Sequence, residues 1–549
     1  TVVDEDAIDL GAATVSGTYS VTAGGAVTDS GTQEITGVTT ISASGQDVTL
    51  NTSTNNFAAA VGITGAAVTV VDEDAIDLGA ATVSGTYGIT AGGAITDSGT
   101  QEITGVTTLA AGSGNDITLD TSTNNFAAAV GITSGRNVAI TDEDAIDLGA
   151  STVSGTYDVT ATTGDITDSG NLAVTGAAKF ITTAANRNIT LDQSGNAFTS
   201  TVTFQSGNGT AAFGNLTFVD SGSVRLHTSA ASAGDLYINA ATDGTVGGTL
   251  SVTANGDITQ TVALVVAGTT TLEAGSSNDI TLSNASNNFA TVVITSGSNV
   301  SLRDTNAIIL GAATVSGTYG ITAGGAVTDS GTQEITGVTT LAAGSGNDIT
   351  LDTSTNNFAA AVGITSGRNV AITDEDAIDL GASTVSGTYD VTATTGDITD
   401  SGNLAVTGAA KFITTAANRN ITLDQSGNAF TSTVTFQSGN GTAAFGNLTF
   451  VDSGSVRLHT SAASAGDLYI NAATDGTVGG TLSVTANGDI TQTVPLVVAG
   501  TTTLAAGSGN DITMDTSTNN FAAAVVITSG NNVAITDEDA IDLGAATVS

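Results

Sequence analysis

The sequence predicts an all-β fold, a parallel β-solenoid with coils of about 20–28 residues. Three observations lead to this prediction: a strand-and-turn composition, long words that return unchanged, and a shorter period of about 22 residues beneath them. The stretch AITDEDAIDLGASTVSGTYDVTA, for example, runs from Ala139 to Ala161 and returns without a change from Ala371 to Ala393. Since a fold needs an active site only once, such repetition favours a structural role.

The composition is suited to strands and tight corners. The 549 residues include 69 Gly, one Pro, no Cys and no Trp, and most of the rest are Thr, Ala, Ser, Val, Ile, Asn and Asp. Thr, Val and Ile pack well on a pleated surface, whereas Gly, Asn and Asp tolerate the backbone angles of corners. Helices are disfavoured because no apolar period of 3.6 residues persists. Immunoglobulin-like domains would need units of about 100 residues.

Repeated words divide the chain into internal blocks. The word DEDAIDLGA begins at Asp4, Asp72, Asp142, Asp374 and Asp537, and a decayed form, DTNAIILGA, begins at Asp304. These positions lie 68, 70, 162, 70 and 163 residues apart. We expect one continuous solenoid over residues 1–549, with the blocks 4–71, 72–141, 142–303, 304–373, 374–536 and a partial block 537–549.

A finer period sets the coils and their inner faces. A Gly, Asn or Asp corner followed by an alternating apolar strand recurs at about 20–23 residues, which gives roughly two dozen coils and a length on the order of 110 Å at about 4.8 Å per coil. Alternation predicts which side chains point into the core: Phe126, Ala128, Val130, Ile132, Ile117, Leu119, Val138, Ile140, Ile146, Leu148, Tyr157 and Val159. It leaves Thr118, Asp120, Asp147, Asp158 and Thr160 facing solvent.

Charge excludes several classes of partner. The formal net charge is −43, from 52 acidic and 9 basic residues. Nucleic acid and anionic membrane surfaces need clustered Lys and Arg, so we expect neither as a partner. No apolar run is long enough to cross a bilayer, so no membrane insertion is expected from this segment. The absence of Cys excludes disulfide bonds.

Four stretches carry a resemblance to a known family: NNFAAAV, VAITDEDAIDLGA, TVSGTYDVTATTGDITDSG and LVVAGTTTLEAGSSNDITL. Together they resemble the repeat regions of filamentous-haemagglutinin-like bacterial exoproteins, which are exported by two-partner secretion or as autotransporters. The resemblance covers essentially the whole chain. It implies a right-handed parallel β-helix, a location outside the cell or on the bacterial surface, and a role in adhesion, aggregation or fibre formation.

The acidic words are the first candidate for a site. Asp142, Glu143 and Asp144 supply many oxygen atoms, which Ca²⁺ prefers as ligands. However, alternate strand residues point to opposite faces, and the decayed word at Asp304 loses most of its carboxylates. Three interpretations stay open: specific Ca²⁺ binding, diffuse binding of divalent cations, or a solvated acidic corner that keeps a long fibre soluble.

Catalysis finds little support in the sequence, and we expect no enzyme activity, no cofactor and no catalytic or metal-binding residue. His227 and His459 are the same position in two copies of VRLHTSAAS, which indicates surface residues. Arg136 and its counterparts lie in corners, where a bond to carbonyl groups is expected rather than a substrate clamp. Tyrosines are interpreted as core residues rather than carbohydrate platforms, and the threonine rows are too interrupted for ice binding.

The sequence therefore predicts a structural stalk or fibre segment of a bacterial surface exoprotein or adhesin. The alternative is an extracellular filament or matrix subunit that self-associates laterally or end to end. Pro495 is expected at a corner or at a backbone position that donates no hydrogen bond between coils, because Ala263 occupies the same place in the other copy. Both termini lie at the same phase of the repeat, so we expect a longer array or a protomer whose ends are covered in a fibre.

Overall fold

The computed structural model describes residues 1–549 and is all-β, with parallel strands stacked as a β-solenoid of about 26 turns. This confirms the predicted fold class and the expected number of coils. The chain forms two compact units, Thr1–Asn278 and Asp279–Ser549. The continuity of a single stack over residues 1–549 stays a prediction.

The first unit consists of short strands joined by tight corners. Its strands are Val2–Asp4, Ile8–Leu10, Ala13–Val15, Tyr19–Ala23, Val27–Asp29, Gln33–Ile35, Thr39–Ser42, Val48–Leu50, Asn56–Phe57, Val61–Gly65, Val68–Asp72, Ile76–Val83, Tyr87–Ala91, Ile95–Asp97, Gln101–Ile103, Thr107–Ala110, Ile117–Leu119, Asn125–Phe126, Val130–Gly135, Val138–Asp142, Ile146–Val153, Tyr157–Ala161, Ile166–Asp168, Leu172–Val174, Ala178–Thr182, Ile189–Leu191, Ala197–Phe198, Val202–Ser206, Leu216–Asp220, Val224–His227, Asp235–Asn239, Thr245–Val246, Leu250–Ala254, Ile258–Gln260 and Val265–Glu273. One short 3₁₀ turn, Gly207–Gly209, interrupts them.

The second unit repeats this organisation. Its strands are Ile280–Leu282, Asn288–Gly297, Val300–Asp304, Ile308–Val315, Tyr319–Ala323, Val327–Asp329, Gln333–Ile335, Thr339–Ala342, Ile349–Leu351, Asn357–Phe358, Val362–Ser366, Val370–Asp374, Ile378–Leu380, Ser383–Val385, Tyr389–Ala393, Ile398–Asp400, Leu404–Val406, Ala410–Thr414, Ile421–Leu423, Ala429–Phe430, Val434–Ser438, Leu448–Asp452, Val456–His459, Asp467–Asn471, Thr477–Val478, Leu482–Ala486, Ile490–Gln492, Val497–Val498, Thr502–Ala505, Ile512–Met514, Asn520–Phe521, Val525–Gly530, Val533–Ile535 and Leu543–Val548. Its 3₁₀ turn is Gly439–Gly441.

The regular coils stack with like residues above one another. Ile117 pairs in parallel with Val138, Val138 with Tyr157, and Tyr157 with Ala178. All four side chains are buried, so each column of the core is a ladder of apolar residues from successive coils. Burial of such columns supplies the main stabilising free energy of each coil, at about 25 cal/mol per Å² of apolar surface.

The predicted inner face is confirmed except at one position. The residues Ile117, Leu119, Phe126, Val130, Ile132, Val138, Ile140, Ile146, Leu148, Tyr157 and Val159 are all buried. Ala128 is only half-buried, because it lies in the corner between the strands Asn125–Phe126 and Val130–Gly135, where strict alternation does not hold.

Aromatic residues replace aliphatic ones in part of each unit's core. The ring of Phe180 packs edge-on against Tyr157 and against Phe204, at 6.0 Å between ring centroids in both pairs. Phe204 in turn packs edge-on against Phe218 at 5.6 Å. The second unit has the same arrangement around Phe412. These rings fill the interior beneath the strands 178–182 and 202–206.

One strand in each unit lies out of chain order. Residues 225–227 pair in parallel with residues 235–237, which follow only about ten residues later. Residues 235–239 also pair with strand 202–206, whereas residues 224–226 pair with strand 258–260. Strand 235–239 is therefore inserted between strands 202–206 and 224–227. Residues 467–471 occupy the same position in the second unit.

Pro495 lies outside the strands, as predicted. It is exposed and precedes the strand Val497–Val498, and its counterpart Ala263 directly follows a bend and also lies outside a strand. The amide of Ala263 donates no backbone hydrogen bond in the structure. The missing N–H of proline therefore removes no bond between coils.

Candidate functional site

The first Asp of the acidic word is buried in a corner. Asp142 is 0% exposed. Its Oδ2 accepts the backbone N–H of Phe126 at 2.8 Å, and its Oδ1 accepts the backbone N–H of Asp144 at 2.7 Å. Phe126 belongs to the preceding coil, so this carboxylate joins one coil to the next. The expectation of a solvated acidic corner is therefore wrong for Asp142.

The same contact recurs wherever a Phe-bearing corner precedes an Asp. An Asp carboxylate accepts the backbone N–H of a Phe in six further corners: Asp72 with Phe57, Asp220 with Phe198, Asp304 with Phe289, Asp374 with Phe358, Asp452 with Phe430 and Asp537 with Phe521. The distances are 2.6–3.3 Å. Two of these Asp residues, Asp220 and Asp452, do not belong to the DEDAIDLGA word.

A buried Asn extends this contact over a third coil. Asn124 donates its side-chain N–H to Oδ2 of Asp97 at 2.6 Å and accepts the backbone N–H of Gln101 at 2.8 Å. The backbone carbonyl of Asn124 accepts the backbone N–H of Glu143. We call the set Asp97, Asn124 and Asp142, with its equivalents, the corner spine. The equivalents are Asp29–Asn55–Asp72, Asp168–Asn196–Asp220, Asp329–Asn356–Asp374 and Asp400–Asn428–Asp452.

Burial and hydrogen bonding shift the pKa of the buried Asp142 in opposite directions. Burial raises the pKa of Asp142 to about 6, although the N–H groups of Phe126 and Asp144 favour the charged form and oppose the rise. The pKa of Asp374 is raised to about 6 for the same reasons. The pKa values of these two carboxyl groups of the corner spine therefore lie just below neutral pH.

The decayed word identifies which acidic residue the fold needs. Asp304 keeps both backbone hydrogen bonds, to the N–H groups of Phe289 and Asn306. The positions that lost their carboxylates correspond to Glu143, Asp144 and Asp147, which are exposed or only half-buried in the block at Asp142. These different roles within the acidic word were not predicted from the sequence. The retained Asp304 was the signal that pointed to them.

Two of the four corner arginines, Arg136 and Arg368, bind carboxylates rather than carbonyl groups. The guanidinium of Arg136 donates two hydrogen bonds, each 2.8 Å long, to the two carboxylate oxygens of Asp116 on the preceding coil. Hydrogen bonding by Arg136 is the main cause that lowers the pKa of Asp116 to about 2. Arg368 and Asp348 form the same pair. Because both partners are largely exposed, each pair contributes little to stability.

A different ion pair lies next to the out-of-order strand. Arg225 donates to Oδ1 of Asp235 at 2.6 Å, and the side chain of Asp235 is fully buried while that of Arg225 is 40% exposed. Oδ2 of Asp235 accepts the backbone N–H groups of Ala231 and Ser232. Burial alone would raise the pKa of Asp235, but these three donors outweigh it and the pKa is lowered.

Histidine and tyrosine side chains occupy two kinds of position. Nδ1 of His227 accepts the backbone N–H of Ser229 at 3.0 Å, and the ring lies partly exposed on the outer face. The tyrosines of the SGTY words are buried, as predicted, with Tyr87 and Tyr157 at 0% exposure. Tyr237 and Tyr469 instead point outward, so the prediction of core tyrosines is wrong for these two.

The structure contains no group of three or more His, Cys, Asp or Glu side chains that could hold a metal ion. No helix in it has the length and apolar character required to cross a membrane.

These features define the chain as a repeat protein of the β-solenoid class, held together by corner spines. A family model described as "Repeats of unknown function (DUF5649)" matches residues 1–64, 65–133, 135–205, 233–296, 297–365, 367–437 and 461–528. The chain therefore belongs to this family of repeats. The searches of curated proteins and of solved structures returned no match.

The family repeats leave two internal segments unmatched. These are residues 206–232 and 438–460, which we call the inserted segments. Each contains a 3₁₀ turn and a strand that ends in His, Val224–His227 in the first and Val456–His459 in the second. The long blocks found in the sequence are thus two family repeats separated by an inserted segment.

Proposed function

We propose that the chain is a structural stalk or fibre segment of a bacterial cell-surface exoprotein or adhesin, located outside the cell, with no chemistry of its own. Its function would be to extend reach, since each added coil lengthens a stack by about 4.8 Å. The observation that carries this proposal is the corner spine, because the same buried Asp and Asn contacts join successive coils in both units.

Buried and exposed acidic residues have different roles, and this difference supports the proposal. Buried Asp142 binds backbone N–H groups, whereas Asp144 is exposed on the surface. A high net negative charge of −43 keeps a long repeat array soluble through self-repulsion. The resemblance to filamentous-haemagglutinin-like exoproteins adds the expectation of export and surface display.

Small-angle X-ray scattering of the purified chain tests the stalk. We expect a rod-like profile with a maximum dimension on the order of 110 Å and a mass that matches one chain at every concentration. A compact profile, or two bodies joined by a flexible linker, would contradict the proposal. Protease treatment of intact cells of the source bacterium tests the location: a surface protein is cut, whereas an internal one is protected.

A second candidate function is lateral self-association into a filament or matrix. Val38, Val106 and Val338 occupy the same position in three blocks, and each is 47% exposed. Ile309, which replaces an Asp of the acidic word, is 40% exposed. Exposed apolar residues that recur along a repeat array provide a surface for pairing between chains.

Sedimentation velocity distinguishes the two candidates. A stalk stays monomeric from micromolar to millimolar concentration, whereas a filament subunit forms larger species that shrink when Val38, Val106 and Val338 are changed to Thr. Binding of divalent cations by the exposed acidic residues is part of this second candidate function. Adding Ca²⁺ is expected to increase association only if the cations bridge chains, with Mg²⁺ and NaCl at equal ionic strength as controls.

A further inference from the structure

One row on the outer face of the first unit brings together residue types that the regular coils do not combine. The register pairs Asp158 with Lys179, Lys179 with Thr203, Thr203 with Tyr237, and Tyr237 with His227. All five side chains are exposed or partly exposed. At about 4.8 Å between neighbouring strands, the row is about 19 Å long.

The second unit carries the same row. Asp390 pairs with Lys411, Lys411 with Thr435, Thr435 with Tyr469, and Tyr469 with His459. Lys179 and Lys411 are the only lysines of the chain, and His227 and His459 are its only histidines. We call each set of five an outer row.

The outer row depends on the inserted segment. His227 lies within residues 206–232, outside the family repeats, and Tyr237 is placed beside it by the out-of-order strand. Insertions in repeat proteins cluster on one face, which is often the binding face. Here the chain departs from the family repeat and brings the imidazole of His227 next to the phenol of Tyr237.

A shallow groove of about 350 Å³ lies beside the outer row. Arg225, two residues before His227 on the same strand and the same outer face, lines the groove together with Ser223, Asp257 and Thr259. The equivalent groove of the second unit measures about 280 Å³ and is lined by Arg457, Asp489 and Thr491. Each groove is open on one side, as an extended ligand requires.

A buried carboxylate directly after the inserted segment holds Arg225 and the neighbouring loop in a fixed geometry. Asp235 binds the Arg225 guanidinium and the N–H groups of Ala231 and Ser232, so one buried carboxylate fixes both the arginine and the loop 228–234. Gly234 ends this loop at a φ of +81°, a conformation that other residues rarely adopt. A site fixed before binding loses less conformational entropy when the ligand arrives.

The donors and acceptors of the row indicate the class of ligand. Nδ1 of His227 accepts the backbone N–H of Ser229, so Nε2 is the ring nitrogen that is left to contact a ligand. Lys179 and Thr203 add donors, Asp158 accepts, and Tyr237, whose hydroxyl is fixed by Asp243 at 3.0 Å, offers an aromatic ring. Carboxylates outnumber cationic groups around the row, which disfavours an anionic ligand, and the mixture of donors, acceptors and an aromatic ring suits an uncharged ligand rich in hydroxyl groups.

We propose that each outer row, with its adjoining groove, is a binding site for a neutral oligosaccharide that lies across the strands and stacks a sugar ring on Tyr237 or Tyr469. Hydroxyl groups of the sugar would donate to Asp158 and accept from Lys179, Thr203 and His227. The protein would then carry two equal sites, so a polysaccharide that reaches both would bind more tightly than a short oligosaccharide. This function adds to that of a stalk and does not depend on it.

Isothermal titration of the full chain with neutral hexasaccharides of glucose, N-acetylglucosamine, mannose and galactose tests the proposal, with a heparin hexasaccharide as the charged comparison. We expect at least one neutral hexasaccharide to bind with a stoichiometry of two. Tyr237→Ala should reduce the stoichiometry to one, and the double variant Tyr237→Ala/Tyr469→Ala should weaken binding by about tenfold or more.

Two further variants separate binding from folding. Tyr237→Phe/Tyr469→Phe keeps both rings and is expected to bind within about threefold of the unchanged protein. Thr167→Ala/Thr399→Ala alters exposed residues away from the outer rows and should have no effect. Binding of none of the neutral hexasaccharides, binding of heparin alone, or unchanged binding by the double Ala variant would each overturn the proposal.

Discussion

Asp142 and Asp235 are both buried, yet the two corners use the carboxylate in opposite ways. Asp142 accepts only backbone N–H groups, and burial raises its pKa to about 6. Asp235 meets Arg225 as well as two backbone N–H groups, and although burial opposes them, its pKa is lowered. The first corner joins one coil to the next, whereas the second holds a charged side chain in place at the surface.

This difference separates two kinds of region in the molecule. In the regular corners, buried polar groups form hydrogen bonds between coils, and the exposed positions are free to vary. The loss of carboxylates around Asp304, which keeps both of its hydrogen bonds, demonstrates this. Asp235, which directly follows the first inserted segment, instead holds Arg225 and the N–H groups of Ala231 and Ser232 within that segment. The regular corners thus join successive coils, whereas this corner orders the outer face beside the inserted segment.

The largest expected effect comes from breaking the repeated corner. Asp142→Ala leaves the buried N–H groups of Phe126 and Asp144 without an acceptor, and we expect local stability to fall by about 2–4 kcal/mol. Hydrogen exchange followed by mass spectrometry measures this as faster exchange around residues 124–144. The matched control is Asp144→Ala, an exposed position, which should change stability by less than about 0.5 kcal/mol. Equal effects of the two variants would show that the corner spine is not the contact that joins the coils.

A smaller effect is expected from the corner at Asp235, directly after the inserted segment. Asp235→Ala removes the acceptor of two backbone N–H groups but leaves Arg225 partly exposed, so water can solvate the guanidinium. We expect a local loss of about 1–3 kcal/mol, confined to residues 224–239. Asp467→Ala in the second unit serves as an internal replicate. Exchange that also accelerates in the coils around Asp142 would contradict the division between the two regions.

The two corners should respond to pH with opposite signs. A raised pKa in the folded state means that the contribution of Asp142 is present below about pH 4 and is lost as the pH rises through about 6. The lowered pKa of Asp235 means that its contribution is present above about pH 4 and is lost on further acidification. Local exchange at about pH 2.5, 4.5 and 7.5, corrected for the intrinsic rate, measures both: the upper interval reports on Asp142 and the lower interval on Asp235. Asp142→Asn should remove the pH dependence of local stability around residue 142, which amounts to about 1–2 kcal/mol, and should leave the pH dependence around Asp235 unchanged.

The smallest effect concerns the backbone at Ala263. Ala263→Pro is expected to change the melting temperature by no more than about 1 °C, because no hydrogen bond between coils is lost and the other copy already contains Pro495 at this place. A control in a strand, Thr118→Pro, removes a ladder bond and should destabilise the protein by about 3 kcal/mol or more. A strong effect of Ala263→Pro would show that this position is part of the ladder.

Much of the fold follows from the sequence, because a period of two along each strand and a coil period of about 22 residues fix which side chains enter the core. Ile117, Val138 and Tyr157 were identified in this way and are buried. The same alternation makes Leu236 an inner residue and so places Tyr237 outside, which the assignment of tyrosines to the core overlooked.

Other features require contacts that a sequence pattern does not contain. Asp142 looks like part of a solvated acidic run, and only the N–H of Phe126 from the preceding coil makes it a buried acceptor. The pairing of residues 225–227 with residues 235–237 inverts the strand order, which no periodicity predicts. The outer row depends on that inversion, because Tyr237 and His227 become neighbours only through it.

Deleting residues 142–373 tests most directly whether the chain is a stalk built from additive coils. The deletion removes one unit of 232 residues and joins Thr141 to Asp374, so the word DEDAIDLGA stays in phase and Phe126 meets an equivalent Asp. If the coils simply add, the shortened protein folds, keeps its β-sheet spectrum, and loses about 50 Å of its maximum dimension in X-ray scattering, from about ten coils at about 4.8 Å each. A shortened protein that fails to fold, or that keeps the original maximum dimension, would contradict the account.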